Sequence, residues 1–171
     1  MDAMTGRTVL DRLAVATAGL SRICLWFSAL GLVVMTAVIG WQVWGRYVLN
    51  DTPHWSERLS LFLMLYYVMF GAAVGVRERF HLGLVFFKDG LPPGPRRAVD
   101  VAVNLCIGGF GLFMTVYGTQ IAQSTWSHSI PSLGIPTGVS YLPFPIAGAL
   151  IILFSLEHIL NDLAGRETPE A

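Results

Sequence analysis

Charge is what this sequence has least of. Asp, Glu, Lys and Arg make up 13% of its 171 residues, where a soluble domain carries about 25%. Hydrophobic residues make up 54% of the chain, more than a soluble core absorbs, so it reads as an integral membrane protein. The formal net charge is zero, which removes the basic footprint of a nucleic-acid-binding protein; no nucleic-acid partner is expected. Cysteine is scarce too. Cys24 and Cys106 both fall inside apolar runs, form neither a disulfide framework nor a metal-ligand spacing, and read as small hydrophobes. There is no Gly-rich phosphate loop, no His-x-x-x-His pair and no plausible Ser-His-Asp set, so the chain is not expected to be an enzyme or to hold a metal or cofactor. A haem-bearing bundle needs histidines on facing helices. His54, His81, His128 and His158 all fall in loops or at helix ends.

What is present is a series of four apolar runs. Residues 1–22 carry Asp2, Arg7, Asp11, Arg12 and Arg22 around Val9, Leu10, Leu13, Val15 and Ala16, the pattern of a short amphipathic helix at the membrane surface. The run that follows is too long for a signal-peptide core and is expected to stay as an anchor. Ile23 to Gly45 contains no charge; at 1.5 Å per residue it reaches about 34 Å, enough to cross the hydrocarbon. Trp26 stands at one end and Trp41, Trp44 and Tyr47 at the other, as headgroup-level aromatics do. Thr52-Pro53 restarts a helix, with Thr as N-cap and Pro in the first turn, giving a second span over 53–76. In it Gly71 and Gly75 form a small-xxx-small pair suited to close helix approach.

Residues 77–97 are the most basic stretch, with Arg77, Arg79, Lys88, Arg96 and Arg97. Phe80 to Phe87, ending in Phe86-Phe87, is too short to cross a bilayer and reads as an interfacial segment in contact with lipid. A Pro-Pro-Gly-Pro turn follows. The third span covers 98–123, and Asn104, Gly108, Gly111, Thr115, Gly118 and Ala122 recur along it at spacings of four and three. They share one helical stripe, the mark of a packing face or partner interface; a water-lined path is the rival, but the stripe has no acid or base within the span. Residues 124–140 carry no charge and form a turn-rich loop around Ile130 to Pro136. The fourth span covers 141–159, with Glu157 and His158 at its end, and 160–171 is a polar tail.

Of the eleven Lys and Arg residues, nine lie in the N-terminal segment, the middle loop and the tail, and two, Arg46 and Arg58, lie in the other two loops. The positive-inside rule then puts both termini in the cytoplasm. The fold class is all-α: four transmembrane helices with short interfacial amphipathic segments. The stretch Gly45 to Arg58 becomes an outer corner, with Tyr47 and Trp55 as anchors and Arg46 and Glu57 as an expected ion pair. A coupling role for Glu57 in a small autonomous proton-driven transporter is the alternative, but a carboxylate in a helix's first turn is peripheral for that work.

The ordered set G-R-Y-V-L-N at 45–50, W-S-E at 55–57, G-A-A-V-G-V-R-E-R-F-H at 71–81, L-P-P-G-P-R-R at 91–97 and S-L-G-I-P-T-G-V-S-Y-L-P-F-P-I-A-G at 132–148 resembles the small membrane subunit of tripartite ATP-independent periplasmic (TRAP) transporters. The resemblance runs from about residue 23 to the fourth span. It departs at Glu57-Arg58, where many members look acidic at two successive positions, and at Leu82 to Phe87, where charge is common. The resemblance implies a bacterial inner-membrane scaffold subunit of a sodium-coupled system importing small organic acids. The implied partners are a large membrane subunit that translocates the substrate and a periplasmic substrate-binding protein.

Overall fold

The computed structural model describes residues 2–51, 53–78 and 93–163; for 2–11, 93–98 and 163 only the backbone is described. Helix α1 runs Asp2–Tyr47, α2 His54–Arg77 and α3 Pro93–Ser124. Strands β1 (Ser129–Ile130) and β2 (Ile135–Pro136), the short α4 (Thr137–Tyr141) and α5 (Pro143–Leu163) complete the order. Four stretches, Arg12–Tyr47, His54–Arg77, Val99–Ser124 and Thr137–Asp162, are long and apolar enough to cross a membrane.

Three boundaries differ from the sequence reading, each for a local reason. The N-terminal segment is not a separate surface helix. It continues into the first span as one helix of 46 residues, about 69 Å at 1.5 Å per residue, since nothing between Asp2 and Tyr47 is a proline that would break it. Helix α3 begins at Pro93, inside the Pro-Pro-Gly-Pro motif, because proline is tolerated where the N–H has no intrahelical acceptor. Pro53 is the N-cap of α2, in extended geometry (φ −62°, ψ 114°) with no side-chain cap. Thr52, expected as that cap, lies outside the described residues, as do Arg79, Phe86 and Phe87 and the whole 80–87 segment.

The helices pack in the order α1, α2, α5, α3: α1 lies along α2, α2 along α5 and α5 along α3, with a smaller contact of α1 on α5. No comparable packing joins α3 directly to α1 or α2. Helix α5 is therefore central although it comes last. The core sits where it meets its neighbours: Ala73 of α2 with Ala147, Ile151 and Phe154 of α5, flanked by Met69, Val76, Ile107 and Met114.

Helix α1 contributes a single narrow stripe. Thr17, Ser21, Cys24 and Ser28 are buried at spacings of four, three and four, one face of the helix. Most of its bulky residues, including Ile23, Trp26, Leu30 and Val33, are exposed. Small residues on that stripe let the backbones approach, which matters in lipid, where apolar contact between helices gains nothing over contact with acyl chains. A Cβ on Gly31 would lie 3.1 Å from Tyr67 Cβ. Phe27 and Phe70 meet edge to face, with centroids 5.2 Å apart. The buried hydroxyls on α2 are satisfied within the chain: Ser56 Oγ donates to the Pro53 carbonyl (2.7 Å) and Ser60 Oγ to that of Ser56 (2.8 Å). Such local bonds are the way a polar side chain avoids an unmet donor in hydrocarbon.

Candidate functional site

The stripe on α3 faces α5. A Cβ on Gly108 would lie 3.4 Å from Ser155 Cβ, one on Gly111 2.9 Å from the Gly148 carbonyl oxygen and 2.9 Å from Ile151 Cγ2, and one on Gly118 2.8 Å from Phe144 Cβ. Thr115 sits in the same seam, since a Cβ on Gly148 would come within 2.6 Å of its Oγ1. That hydroxyl donates to the Gly111 carbonyl at 2.8 Å. At the N-terminal end of the stripe Asn104 Nδ2 donates to Asp162 Oδ2 at 3.4 Å, and at its C-terminal end Ala122 is buried. The stripe is thus spent on an internal seam.

Gly71 and Gly75 behave otherwise. A Cβ on Gly71 would make only ordinary contact with Ser28 Oγ at 3.8 Å, and one on Gly75 would meet nothing within 4 Å. Among the described residues no close helix approach uses the pair. Gly75 instead lines an apolar groove of about 500 Å³ between α2 and α3, with Ala72, Val76, Cys106 and Phe110 on its sides and Ile151 of α5 behind. A second groove, about 260 Å³, opens between α1 and α2 beside Phe27, Gly31, Phe62 and Tyr67.

The C-terminal ends of α2 and α5 and the N-terminal half of α3 come together in a polar cluster that the sequence alone does not assemble. Arg77 ends α2. Its guanidinium NH1 donates to Glu78 Oε1 at 3.2 Å, and its Nε lies 4.0 Å from Glu157 Oε2 on α5. Those last two atoms are buried and have no hydrogen-bond partner. Next along α5, His158 is 2% exposed, and its Nε2 lies 3.0 Å from the Arg77 carbonyl. With that nitrogen protonated, the imidazole donates to one of the carbonyls a helix C-terminus leaves unpaired. Asn104 and Asp162 extend the cluster to α3. The cluster clamps α2, α5 and α3 at one level; among the described residues no group of three or more His, Cys, Asp and Glu is placed to hold a metal. The signal available in the sequence is topological: α2 and α5 carry the second and fourth spans and so run in the same direction, which brings Arg77, Glu157 and His158 to one membrane face.

At the turn between α1 and α2 the expected Arg46–Glu57 pair does not form. The ion pairs among the described residues are Arg77–Glu78 and Arg77–Glu157. Arg46 instead lies over the ring of its neighbour Tyr47, 5.9 Å from the centroid, a weak cation–π contact at an exposed site. Arg46, Glu57, Tyr47 and Trp55 are all exposed, which keeps both rings available to the headgroup layer. The corner is held by backbone. Leu49 N–H and Asp51 N–H both donate to the Gly45 carbonyl (3.2 and 3.1 Å), and Asn50 takes a positive φ of 50°, which asparagine accepts better than most residues. Gly45 is required there, since a Cβ would lie 2.8 Å from the Asp51 carbonyl oxygen. At the other membrane face Arg96 and Arg97 fall in the first turns of α3.

Comparison with known proteins agrees with this architecture. Residues 35–165 match the family model described as tripartite ATP-independent periplasmic transporters, DctQ component. The sialic acid TRAP transporter small permease protein SiaQ of Vibrio cholerae is 31% identical over 134 residues, covering 76% of this chain and 75% of that protein. The ectoine TRAP transporter small permease protein TeaB of Halomonas elongata is 22% identical over 81% of this chain and 73% of its own length. The C4-dicarboxylate TRAP transporter small permease protein DctQ of Rhodobacter capsulatus is 27% identical over 57% of this chain and 44% of its own. The chain belongs to the DctQ family of TRAP transporter small permease subunits: a multi-pass inner-membrane transport component, not an enzyme.

Proposed function

We propose that the chain is the scaffold of a sodium-coupled TRAP uptake system for a small organic acid. It braces the large translocating subunit against the bilayer and, on its outer face, helps receive the periplasmic binding protein. Both termini and the 79–92 connection lie in the cytoplasm in this reading, on the distribution of Lys and Arg.

The observation that carries the bracing role is how little of each span the chain itself covers. In the most apolar window of the four spans, in chain order, 11%, 17%, 11% and 33% of residues are buried. A chain that translocated alone would need an enclosed path lined by ionisable or polar groups. Here the buried polar residues are mostly small hydroxyls and members of the helix-end clamp, and Glu57 is exposed at a helix end. A rigid layer with uncovered apolar sides suits a subunit whose missing contacts come from a larger membrane partner. The sialic acid, ectoine and C4-dicarboxylate systems of its relatives point to small, charged organic solutes as the substrate class.

The test is affinity capture of the tagged chain from native membranes in mild detergent. A large multi-span permease recovered in fixed ratio is the expected result. Recovery of the chain alone, from membranes shown to contain that permease, would end the proposal.

A further inference from the structure

Trp126, two residues past the end of α3, is 51% exposed, the setting of a headgroup-level anchor. The ten residues after it turn back on themselves. They do so as a built hairpin: β1 and β2 pair antiparallel, with Ser129 opposite Pro136 and Ile130 opposite Ile135. Leu133 N–H and Gly134 N–H both donate to the Ile130 carbonyl (3.1 and 2.9 Å), and Thr137 N–H donates to that of His128 at 2.7 Å. Gly134 closes the turn at φ +67°, in the left-handed region that glycine occupies without strain.

The base of the hairpin is locked to the spans. Gly138 is buried against α3, and a Cβ there would lie 2.7 Å from Trp126 Cε3. Tyr66 Oη of α2 donates to the Val139 carbonyl at 2.8 Å. Yet Ser127, His128, Ser129, Pro131, Ser132 and Gly134 are exposed. A loop this firmly ordered and this exposed is prepared for a contact whose ordering cost has been met in advance.

Resting on the reading of the chain as the scaffold of a tripartite system with this loop outward, we propose that the 127–134 hairpin is the ridge against which the periplasmic substrate-binding protein docks. Its chemistry selects a protein surface over lipid. Headgroup capture relies on Lys and Arg, and there is none between Arg97 and Arg166. Four serine and histidine side chains around Pro131 offer hydrogen bonds without fixed charge. The neighbouring corner carries exposed Arg46, Asp51, Glu57 and Arg58, which fits it for long-range steering. The hairpin supplies a short-range contact that salt does not screen.

The test uses the two-membrane-subunit complex in liposomes with purified binding protein outside. Ser132→Arg places a charge on the ridge. The concentration of binding protein that gives half-maximal uptake is expected to rise about tenfold, while the small and large subunits still purify together. An unchanged half-saturation with intact co-purification would overturn the docking ridge and leave the scaffold reading standing. Loss of co-purification in the unmodified complex would strike the scaffold reading instead. A second variant, Ser132→Cys carrying an environment-sensitive fluorophore, reads contact directly. Its emission is expected to shift on titration with the binding protein. No shift, or the same shift with protein-free vesicles of the same lipid, overturns the proposal.

Discussion

Gly111 of α3 and Gly148 of α5 face each other across the central seam, each so close that a Cβ on one would meet the other's carbonyl oxygen, at 2.9 Å and 2.6 Å. This pair sets the distance between the two helices. In lipid, close packing replaces the hydrophobic effect as the reason for helices to associate, and this pair permits it.

Gly111→Ala is therefore expected to destabilise the folded chain, by about 1–3 kcal/mol as overpacking of an ordered seam does. Gly75→Ala has open space around it and should leave the isolated chain unchanged. Thermal unfolding of the two variants in detergent checks the contrast. Equal melting temperatures for both would mean the seam yields freely.

Glu157 is buried and half-buried Arg77 faces it at 4.0 Å. Removing the arginine leaves the Glu157 carboxylate without its cation. Arg77→Ala should cost about 3 kcal/mol, whereas the apolar double replacement Arg77→Met with Glu157→Leu should recover most of it. Denaturant unfolding of the two single variants and the double variant measures the coupling. Strict additivity would show that the two side chains do not sense each other.

Tyr66 Oη holds the Val139 carbonyl below the outer hairpin. Tyr66→Phe keeps the ring and deletes the bond, at an expected cost of about 1 kcal/mol. The loss should be local: faster amide exchange over residues 137–141, with α1 unaffected. Unchanged exchange there would mean the hairpin base is held by Gly138 and Trp126 alone.

Glu57 is the carboxylate that the sequence offers for a coupling role. In the structure it is exposed and forms no pair with Arg46. Glu57→Gln should change folding stability by less than about 0.5 kcal/mol and leave the sodium dependence of uptake unaltered. A shifted sodium dependence in the assembled transporter would revive a coupling role.

The residues made four spans legible because each apolar run is long and nearly free of charge. The spacing of Asn104, Gly108, Gly111, Thr115 and Gly118 also marked one face of the third span, but the sequence cannot say which helix that face meets. The order α1, α2, α5, α3 depends on pairings between residues far apart in the chain, such as Gly111 with Gly148. For the same reason the inner clamp was not legible. Arg77, Asn104, Glu157 and His158 each look like an ordinary helix-end residue until folding brings them to one level. Gly71 and Gly75 show the converse. Their spacing satisfies the close-packing pattern, yet the chain places nothing against Gly75. Arg46 and Glu57 are near in sequence, yet both are exposed and make no ion pair with each other across the turn closed by the Gly45 carbonyl.

The central claim is that this chain braces a transporter without carrying a path of its own. Sodium-driven uptake of substrate, delivered by the binding protein into liposomes holding the large subunit, measures this most directly when compared with and without the small subunit. The account predicts uptake only when both subunits are present, and no flux through the small subunit alone. Full uptake by the large subunit alone, or sodium-driven flux through this chain alone, would contradict it.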